Sequence, residues 1–164
     1  MADKVTRVGF VGVGTMGEPM AANLLKAGFE VTVVAHRNRA PVERLVAQGA
    51  TEAATAAEMA ERVQAAVTCV SDDAAVEQVL TGPAGIAEGA QEGLIVIDTS
   101  TISPLTSQRL ADDLAARGVT LLDAPISGGQ NGAIAGTLAI MVGGPREAYD
   151  RVLPLLEAMG KSIT

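Results

Sequence analysis

VGFVGVGTMGEPMAANLL, residues 8–25, joins an apolar run to an amphipathic helical pattern through three glycines, Gly12, Gly14 and Gly17. In a dinucleotide-binding turn, the first glycine allows a tight reversal, the second lets the backbone approach a pyrophosphate, and the third lets helix and strand pack closely. The phosphates then face the free N–H groups at the N-terminus of the helix. Glycine-rich turns are common in α/β proteins whatever they bind, so the flanking strand and helix carry the prediction.

Outward from this turn, short β-rich runs alternate with helical patterns along the whole chain. We predict strands at residues 5–11, 30–35, 63–70, 93–98, 119–123 and 138–142. Helices are predicted from the glycine turn to Gly28, after Pro41, at 55–62, at 74–80, between Ser103 and Gly118, and after Pro145. Pro154 is expected to kink or divide the last helix, and residues 161–164 to begin another strand. This order predicts a Rossmann-type α/β fold with a single doubly wound, mostly parallel sheet.

Length and composition limit the class of protein. A chain of 164 residues suits one domain with a genuine core, so we predict a single NAD(P)-binding domain over residues 1–164. The formal net charge is −7 and no cluster of lysines and arginines occurs, which argues against a nucleic-acid partner. No apolar run approaches the roughly 20 residues of a membrane helix, and the N-terminus leaves no room for a signal peptide. The single cysteine, Cys69, lies in an apolar run; it excludes a disulfide framework and favours a cytoplasmic location.

The turn after the second strand bears on the choice of nicotinamide cofactor. NAD-binding folds usually place an acidic residue there, about 20 residues past the glycines, to hold the adenosine ribose. Residues 35–39 read AHRNR and contain no carboxylate, whereas Arg37 and Arg39 are able to pair with a 2′-phosphate. We predict that His36, Arg37 and Asn38 contact the cofactor and that NADP(H) is favoured over NAD(H); the alternative is a solvated turn. His36 is the only histidine and has no cluster of acidic residues or cysteines beside it, so no metal site is predicted.

Two polar segments follow predicted strands at the carboxyl edge of the sheet, where open sheets bind ligands. The first, residues 70–73 (VSDD), is predicted to run beside the nicotinamide through Val70 and Ser71. The second, residues 98–101 (DTST), offers hydroxyl groups near the place of hydride transfer. Each segment is also explained as a helix-capping turn, which is the interpretation we favour for Asp72 and Ser103.

A third segment, residues 123–129 (DAPISGG), also comes just after a predicted strand. Gly128 and Gly129 permit backbone conformations that expose N–H groups, and Ser127 adds a hydroxyl. Such a nest suits a carboxylate and favours a small carboxylate substrate. Taken alone, the segment is equally explained as a tight loop leading into the glycines at 132–136.

Three ordered motifs resemble the β-hydroxyacid dehydrogenases, the family that includes 3-hydroxyisobutyrate dehydrogenase and tartronate semialdehyde reductase. The motifs are GFVGVGTMGEPMAANLLKAGF (9–29), IDTSTISP (97–104) and DAPISGGQNGAIAGTLAIMVGG (123–144). The resemblance implies that the cofactor is held by Gly12, Val13, Gly14, Thr15, Met16, Gly17, Val70, Ser71 and Thr101, and the substrate carboxylate by Ser127, Gly128 and Gly129. The family usually has Leu-Pro or a similar pair where this chain has Val70 and Ser71, which weakens the expectation for that contact.

The resemblance also implies a catalytic lysine on a helix beyond the nucleotide-binding domain, which accepts the proton of the substrate hydroxyl. The chain contains only Lys4, Lys26 and Lys161, and none of them matches the family lysine. The helical second domain, through which members of the family form homo-oligomers, is likewise expected to be absent. We therefore expect no catalytic residue and no activity in this chain alone.

Three hypotheses follow for the function. In the first, the chain is the N-terminal domain of an enzyme that transfers hydride between NADP(H) and a small 3-hydroxy acid or its semialdehyde. In the second, it is a non-catalytic NADP-binding module or a partner subunit. The third is an imine reductase, a class that shares the glycine turn and a basic residue after the second strand but is not expected to carry the Ser-Gly-Gly segment.

Overall fold

The computed structural model describes residues 4–164. The strands are β1 (Arg7–Val11), β2 (Glu30–Val34), β3 (Thr51–Ala53), β4 (Ala65–Thr68), β5 (Ile95–Asp98), β6 (Thr120–Asp123), β7 (Ile126–Ser127), β8 (Leu138–Ile140) and β9 (Gly160–Ile163). The helices are α1 (Gly17–Lys26), α2 (Ala40–Ala47), α3 (Ala56–Ala60), α4 (Asp73–Thr81), α5 (Ile86–Gly89), α6 (Pro104–Ala115), α7 (Gly129–Ala135) and α8 (Arg146–Met159).

The main sheet has six strands in the order β3-β2-β1-β4-β5-β6, and every neighbouring pair is parallel. From β1 the chain builds outward to β3, then returns to place β4 on the other side of β1. This reversal of strand order confirms the predicted Rossmann-type α/β fold. It also opens a crevice between the carboxyl ends of β1 and β4, the place where such sheets bind ligands.

Neighbouring residues of a strand pack into separate cores on the two faces of this sheet. Phe10 of β1 is buried with residues of α1, α2 and α8, whereas Val11 packs with residues of α3, α4 and α6 on the other face. Because helices cover both faces, the strands are apolar at nearly every position rather than at every second one. The carboxyl edge of the sheet is therefore positioned by helices packed on both faces.

The prediction of one sheet is wrong, because the last part of the chain forms a second sheet with the order β7-β8-β9. Strand β7 pairs antiparallel with β8, and β8 pairs parallel with β9. Only residues 124 and 125 separate β6 from β7, a connection too short for a parallel crossover, so β7 turns away from the main sheet. Beside the end of β6, Gly143 pairs with Asp123 in an isolated antiparallel bridge.

Pro154 does not divide the last helix, since α8 continues from Arg146 to Met159 with this proline inside it. Pro154 is exposed, while Val152, Leu155 and Leu156 around it are fully buried. Packing of these apolar side chains against the core outweighs the hydrogen bond that proline removes. The three-residue strand β3 and the one-turn helix α5 were not predicted, because such short elements carry too few residues for a periodic pattern.

Candidate functional site

The glycine turn between β1 and α1 is shaped by close backbone packing at its first and last glycine. Gly12 has φ +99°, and a Cβ atom added to it would lie 2.0 Å from the carbonyl oxygen of Cys69. A Cβ atom at Gly17 would lie 1.8 Å from the carbonyl oxygen of Gly12. Both positions therefore exclude any side chain, as expected for the reversal of the chain and for the contact between helix and strand.

The middle glycine of the turn differs from the other two. A Cβ atom at Gly14 would meet no protein atom within 4 Å, and the residue is exposed. The protein's own packing therefore gives no reason for glycine at this position. The open space lies in front of the N-terminus of α1, where N–H groups and the helix dipole favour an anion.

A cleft of about 580 Å³ lies at the carboxyl ends of β1, β2 and β4. It brings together residues of three predicted segments that are far apart in sequence. These residues are Gly12, Val13 and Gly14 of the glycine turn, His36, Arg37 and Asn38 after β2, and Val70 and Ser71 after β4. The remaining wall includes apolar residues of α4 and the loop after it, such as Val79 and Pro83. The volume and mixed lining are those of a small-molecule or cofactor site.

Other predicted residues lie outside the lining of this cleft. Thr15 lines an adjoining groove, the side chain of Met16 packs against the core, and Gly17 is buried at the start of α1. Thr101 is exposed in the loop between β5 and α6. Gly17 offers a ligand only its backbone, and the side chain of Met16 is partly buried against the core.

The turn after β2 contains two arginines in different environments. Arg39 Nη2 lies 2.7 Å from Glu52 Oε1, and Arg39 Nε lies 4.0 Å from Glu43 Oε1. Asn38 Oδ1 accepts a hydrogen bond of 3.1 Å from the N–H of Ala40. Arg37 is exposed and forms no ion pair with a carboxylate of residues 4–164. Of the two arginines, Arg37 is thus the one that lines the cleft and is left to meet a ligand.

The loops after β4 and β5 are joined by a buried network that starts at Asp98. Asp98 Oδ1 accepts hydrogen bonds from Thr68 Oγ1 (2.9 Å) and from the N–H of Ser100 (3.1 Å). Ser100 Oγ in turn accepts from the N–H of Val70 at 2.9 Å. The position of Val70 at the cleft is therefore set by the end of β5 and the loop that follows it.

Asp98 is 1% exposed, and its Oδ2 has no hydrogen-bond partner among the described residues. Burial raises the pKa of the Asp98 carboxyl against the opposing effect of its hydrogen bonds. Asp123 lies beside it in the register of β5 and β6, and its own pKa is raised by burial and by the charge of Asp98. The sequence analysis predicted the segment 98–101 as a source of hydroxyl groups, but it did not predict that Asp98 and Ser100 form a buried network that holds Val70.

The segment that carries Ser127 is more regular than the predicted loop. Ser127 ends β7, and Gly128 (φ +140°) precedes α7, whose first residue is Gly129 (φ +64°). All three residues are exposed. Helix α7 docks on α1, where Asn23 Nδ2 donates a hydrogen bond of 2.8 Å to the carbonyl oxygen of Ala133. The segment is thus attached to the same helix as the glycine turn.

The helix caps predicted near these loops are confirmed. Asp72 Oδ1 accepts from the N–H of Ala75 at 2.8 Å, at the start of α4. Ser103 Oγ accepts from the N–H of Leu105 at 3.3 Å, at the start of α6. Within the described residues 4–164, no group of three or more His, Cys, Asp or Glu side chains is placed to hold a metal, and no helix is long and apolar enough to cross a membrane.

Comparison with known proteins connects this geometry to a family. The family model described as the NAD binding domain of 6-phosphogluconate dehydrogenase matches residues 7–164. The chain belongs to this family. The match covers the six-stranded sheet, the cleft and the second sheet.

Two curated relatives agree with the resemblance found in the sequence. The 3-hydroxyisobutyrate dehydrogenase of Pseudomonas aeruginosa is 44% identical over 159 residues, which cover 97% of this chain and 53% of the relative. The 2-hydroxy-3-oxopropionate reductase of Escherichia coli is 41% identical over 159 residues, which cover 96% of this chain and 53% of the relative. The chain thus spans about half the length of the curated relatives it matches. The resemblance to hydroxyacid dehydrogenases is confirmed.

A solved structure gives the same result for the fold. The structure of Psf3 in complex with NADP⁺ and 2-OPP aligns with a TM-score of 0.90 and 34% sequence identity. The alignment covers 96% of this chain and 55% of Psf3. The Rossmann-type architecture is therefore shared with a protein that was solved with a bound dinucleotide.

Proposed function

We propose that this chain is the nucleotide-binding part of a dehydrogenase that transfers hydride between NADP(H) and a small 3-hydroxy acid or its semialdehyde. The observation that carries the proposal is the cleft in which the glycine turn, the turn after β2 and the loop after β4 meet. The names of the two curated relatives support the substrate class, since both describe oxidoreductases of small hydroxy or oxo acids. The bound cofactor would supply or accept the hydride at its nicotinamide ring.

We assign the pyrophosphate to the glycine turn, where residues 12–17 bring the backbone close to the N-terminus of α1. Gly14 supports this assignment, because its missing side chain leaves open space that no protein atom fills. The nicotinamide half would lie toward Val70, Ser71 and Thr101, on the side of the cleft nearest β5. The backbone of Val70 is held there by Ser100, which makes a preorganised wall for the ring.

We assign the adenosine ribose to His36, Arg37 and Asn38, with Arg37 as the partner of a 2′-phosphate. This assignment favours NADP(H), because Arg37 is exposed at the cleft and the residues of this turn include no carboxylate. A guanidinium forms paired, charge-assisted hydrogen bonds with a phosphate. Psf3, which binds NADP⁺, has the same fold and supports the proposal.

We assign the substrate carboxylate to Ser127, Gly128 and Gly129. All three residues are exposed, and a hydroxyl beside successive backbone N–H groups suits an anion. The docking of α7 on α1 places this segment on the same side of the main sheet as the glycine turn. Carboxylates are common to the compounds for which the two curated relatives are named.

We propose that the chain alone has no dehydrogenase activity, because it has no lysine at the carboxyl edge of the main sheet. Lys4 precedes β1, Lys26 ends α1, and Lys161 lies inside β9 rather than before a final strand. The general base and the oligomer contacts would then come from a further domain. A cytoplasmic location is also proposed, supported by Cys69 as a free thiol in a chain with no other cysteine.

Calorimetric titration of the full chain with NADPH and NADH, followed by turnover assays, tests this function. We expect NADPH to bind more tightly than NADH, and no steady-state turnover with 3-hydroxyisobutyrate, serine or tartronate semialdehyde. Turnover by the chain would show that the general base has been misplaced. Binding without turnover in the complete protein would instead indicate a non-catalytic NADP-binding module.

A further inference from the structure

A bidentate ion pair joins the first turn of α1 to α2 beside the glycine turn. Arg44 Nε lies 2.7 Å from Glu18 Oε2, and Arg44 Nη2 lies 2.7 Å from Glu18 Oε1. The Glu18 side chain is 23% exposed, and the hydrogen bond with Arg44 lowers its pKa. Glu18 is therefore an anion held at a defined place by its partner.

The pair lies next to the proposed pyrophosphate site. Glu18 and Arg44 line a groove of about 500 Å³ together with Gly14, Thr15 and Asn38. Gly14 and Asn38 also line the nucleotide cleft, so the groove and the cleft share a border at the N-terminus of α1. Neither residue of the pair belongs to the set assigned above to cofactor or substrate.

A carboxylate at this place acts against the binding of a phosphate. The N-terminus of a helix carries a partial positive charge that favours an anion, and Glu18 lies in the first turn of α1. An unpaired Glu18 would satisfy that charge itself and would repel the two negative charges of a pyrophosphate. Arg44 cancels the charge of Glu18 without occupying the open space in front of Gly14.

We infer that Arg44 is a positioning residue for dinucleotide binding, which neutralises Glu18 and so keeps the N-terminus of α1 available to the pyrophosphate. The inference rests on the proposed function, because it requires a dinucleotide in the cleft. It differs from the assignment of Arg37 in one consequence. Arg44 affects NADPH and NADH equally, since both carry the pyrophosphate, whereas Arg37 affects NADPH alone.

The experiment separates this electrostatic action from a clamp that merely holds α1 against α2. NADPH and NADH are titrated calorimetrically into wild type, Arg44→Gln, Glu18→Gln and the double variant, at low and high salt. We expect Arg44→Gln to weaken both cofactors by a similar factor, about twofold to fivefold. Glu18→Gln is expected to strengthen both, and the double variant to return to the wild-type affinity. All of these differences shrink at high salt.

Arg109→Gln is the matched control, because Arg109 of α6 pairs with Glu77 of α4 at 3.1 Å and also joins two helices. It has the same change in net charge and is expected to leave both affinities unchanged. Weaker binding in Glu18→Gln as well as in Arg44→Gln would overturn the inference in favour of a clamp, as would unchanged affinity in Arg44→Gln. A loss of affinity confined to NADPH would overturn the inference and assign Arg44 to the 2′-phosphate instead. If wild type bound neither cofactor, the dinucleotide assignment itself would fail.

Discussion

The glycine turn after β1 and the segment Ser127–Gly129 both present glycines at the edge of a sheet, but an added Cβ atom would overlap backbone atoms only in the first. At Gly12 and Gly17 an added Cβ atom would overlap backbone within 2.0 Å, while at Gly129 it would meet nothing within 4 Å. The turn is therefore part of the packed fold and also a proposed binding site. In Ser127–Gly129, the positive φ of the two glycines and the nearness of Gly128 to Leu138 also demand glycine. The side chain of Ser127 is exposed, so a substitution at Ser127 should separate binding from stability.

Gly17→Ala is expected to have the largest effect, because its Cβ atom would overlap the carbonyl oxygen of Gly12, which is backbone and has little freedom to move. Overpacking costs about 1–3 kcal/mol of unfolding free energy, and overlap with backbone places this variant at the upper end of that range. Urea denaturation measures it. Gly14→Ala is the control: its stability should stay near that of wild type, while NADPH and NADH both bind more weakly. A stable Gly17→Ala variant would contradict the packed character of the turn.

Arg37→Glu is expected to have the next largest effect, on binding rather than on stability. Loss of charge-assisted hydrogen bonds to a 2′-phosphate weakens the binding of NADPH by about 1.5–3 kcal/mol and leaves the binding of NADH nearly unaffected. Calorimetric titration with both cofactors measures the difference. Arg117→Glu gives the same change in net charge at an exposed arginine just after α6 and should change neither affinity. An equal loss of affinity for both cofactors in Arg37→Glu would contradict the assignment of Arg37 to the 2′-phosphate.

Asp98→Asn tests the buried network through which Asp98 and Ser100 hold Val70 beside the glycine turn. The pKa of Asp98 is raised in the folded protein, so its stabilising contribution is complete below the unfolded pKa and is lost as pH rises through the folded pKa. The unfolding free energy of wild type should therefore fall relative to that of Asp98→Asn with rising pH. Because one buried oxygen of Asp98 has no hydrogen-bond partner within residues 4–164, we expect this relative fall to reach about 1 kcal/mol at neutral pH.

Urea denaturation of both proteins between pH 4 and pH 8 checks this expectation. Asp123 titrates in both proteins, but in the variant its pKa loses the contribution from the charge of Asp98. The difference between the two curves therefore reports Asp98 together with its coupling to Asp123. Parallel curves over this range would show that Asp98 does not change its ionisation there.

Ser127→Ala is expected to have the smallest effect on stability, within about 0.5 kcal/mol, because the side chain is exposed. Affinity for a carboxylate should fall by about 0.5–1.5 kcal/mol with the loss of one hydrogen bond. Titration of 3-hydroxyisobutyrate into the chain saturated with NADP⁺ measures it. Ser162→Ala, also exposed in the second sheet, is the control and should bind as wild type does. A destabilised Ser127→Ala variant would show that the segment is packed after all.

Much of the fold and part of the site were predictable from local pattern. The alternation of apolar runs and helical patterns identified the strands of the main sheet other than β3, and the glycine spacing identified the turn. The second sheet was not predictable, because β7 has only two residues and its partner β8 reads like any other buried strand. The difference between Arg37 and Arg39 was equally hidden, since it depends on Glu52, thirteen residues beyond Arg39.

The order of residues was enough to specify the family, the Rossmann-type fold and the position of the glycine turn, because each depends on residues that are close neighbours in the chain. Tertiary contacts settled which arginine is left unpaired beside the cleft, that Ser100 holds Val70, and that Arg44 neutralises Glu18. The reason is physical. Charge and hydrogen-bonding capacity belong to single residues, but whether they are satisfied or free depends on partners that only folding brings within about 3 Å.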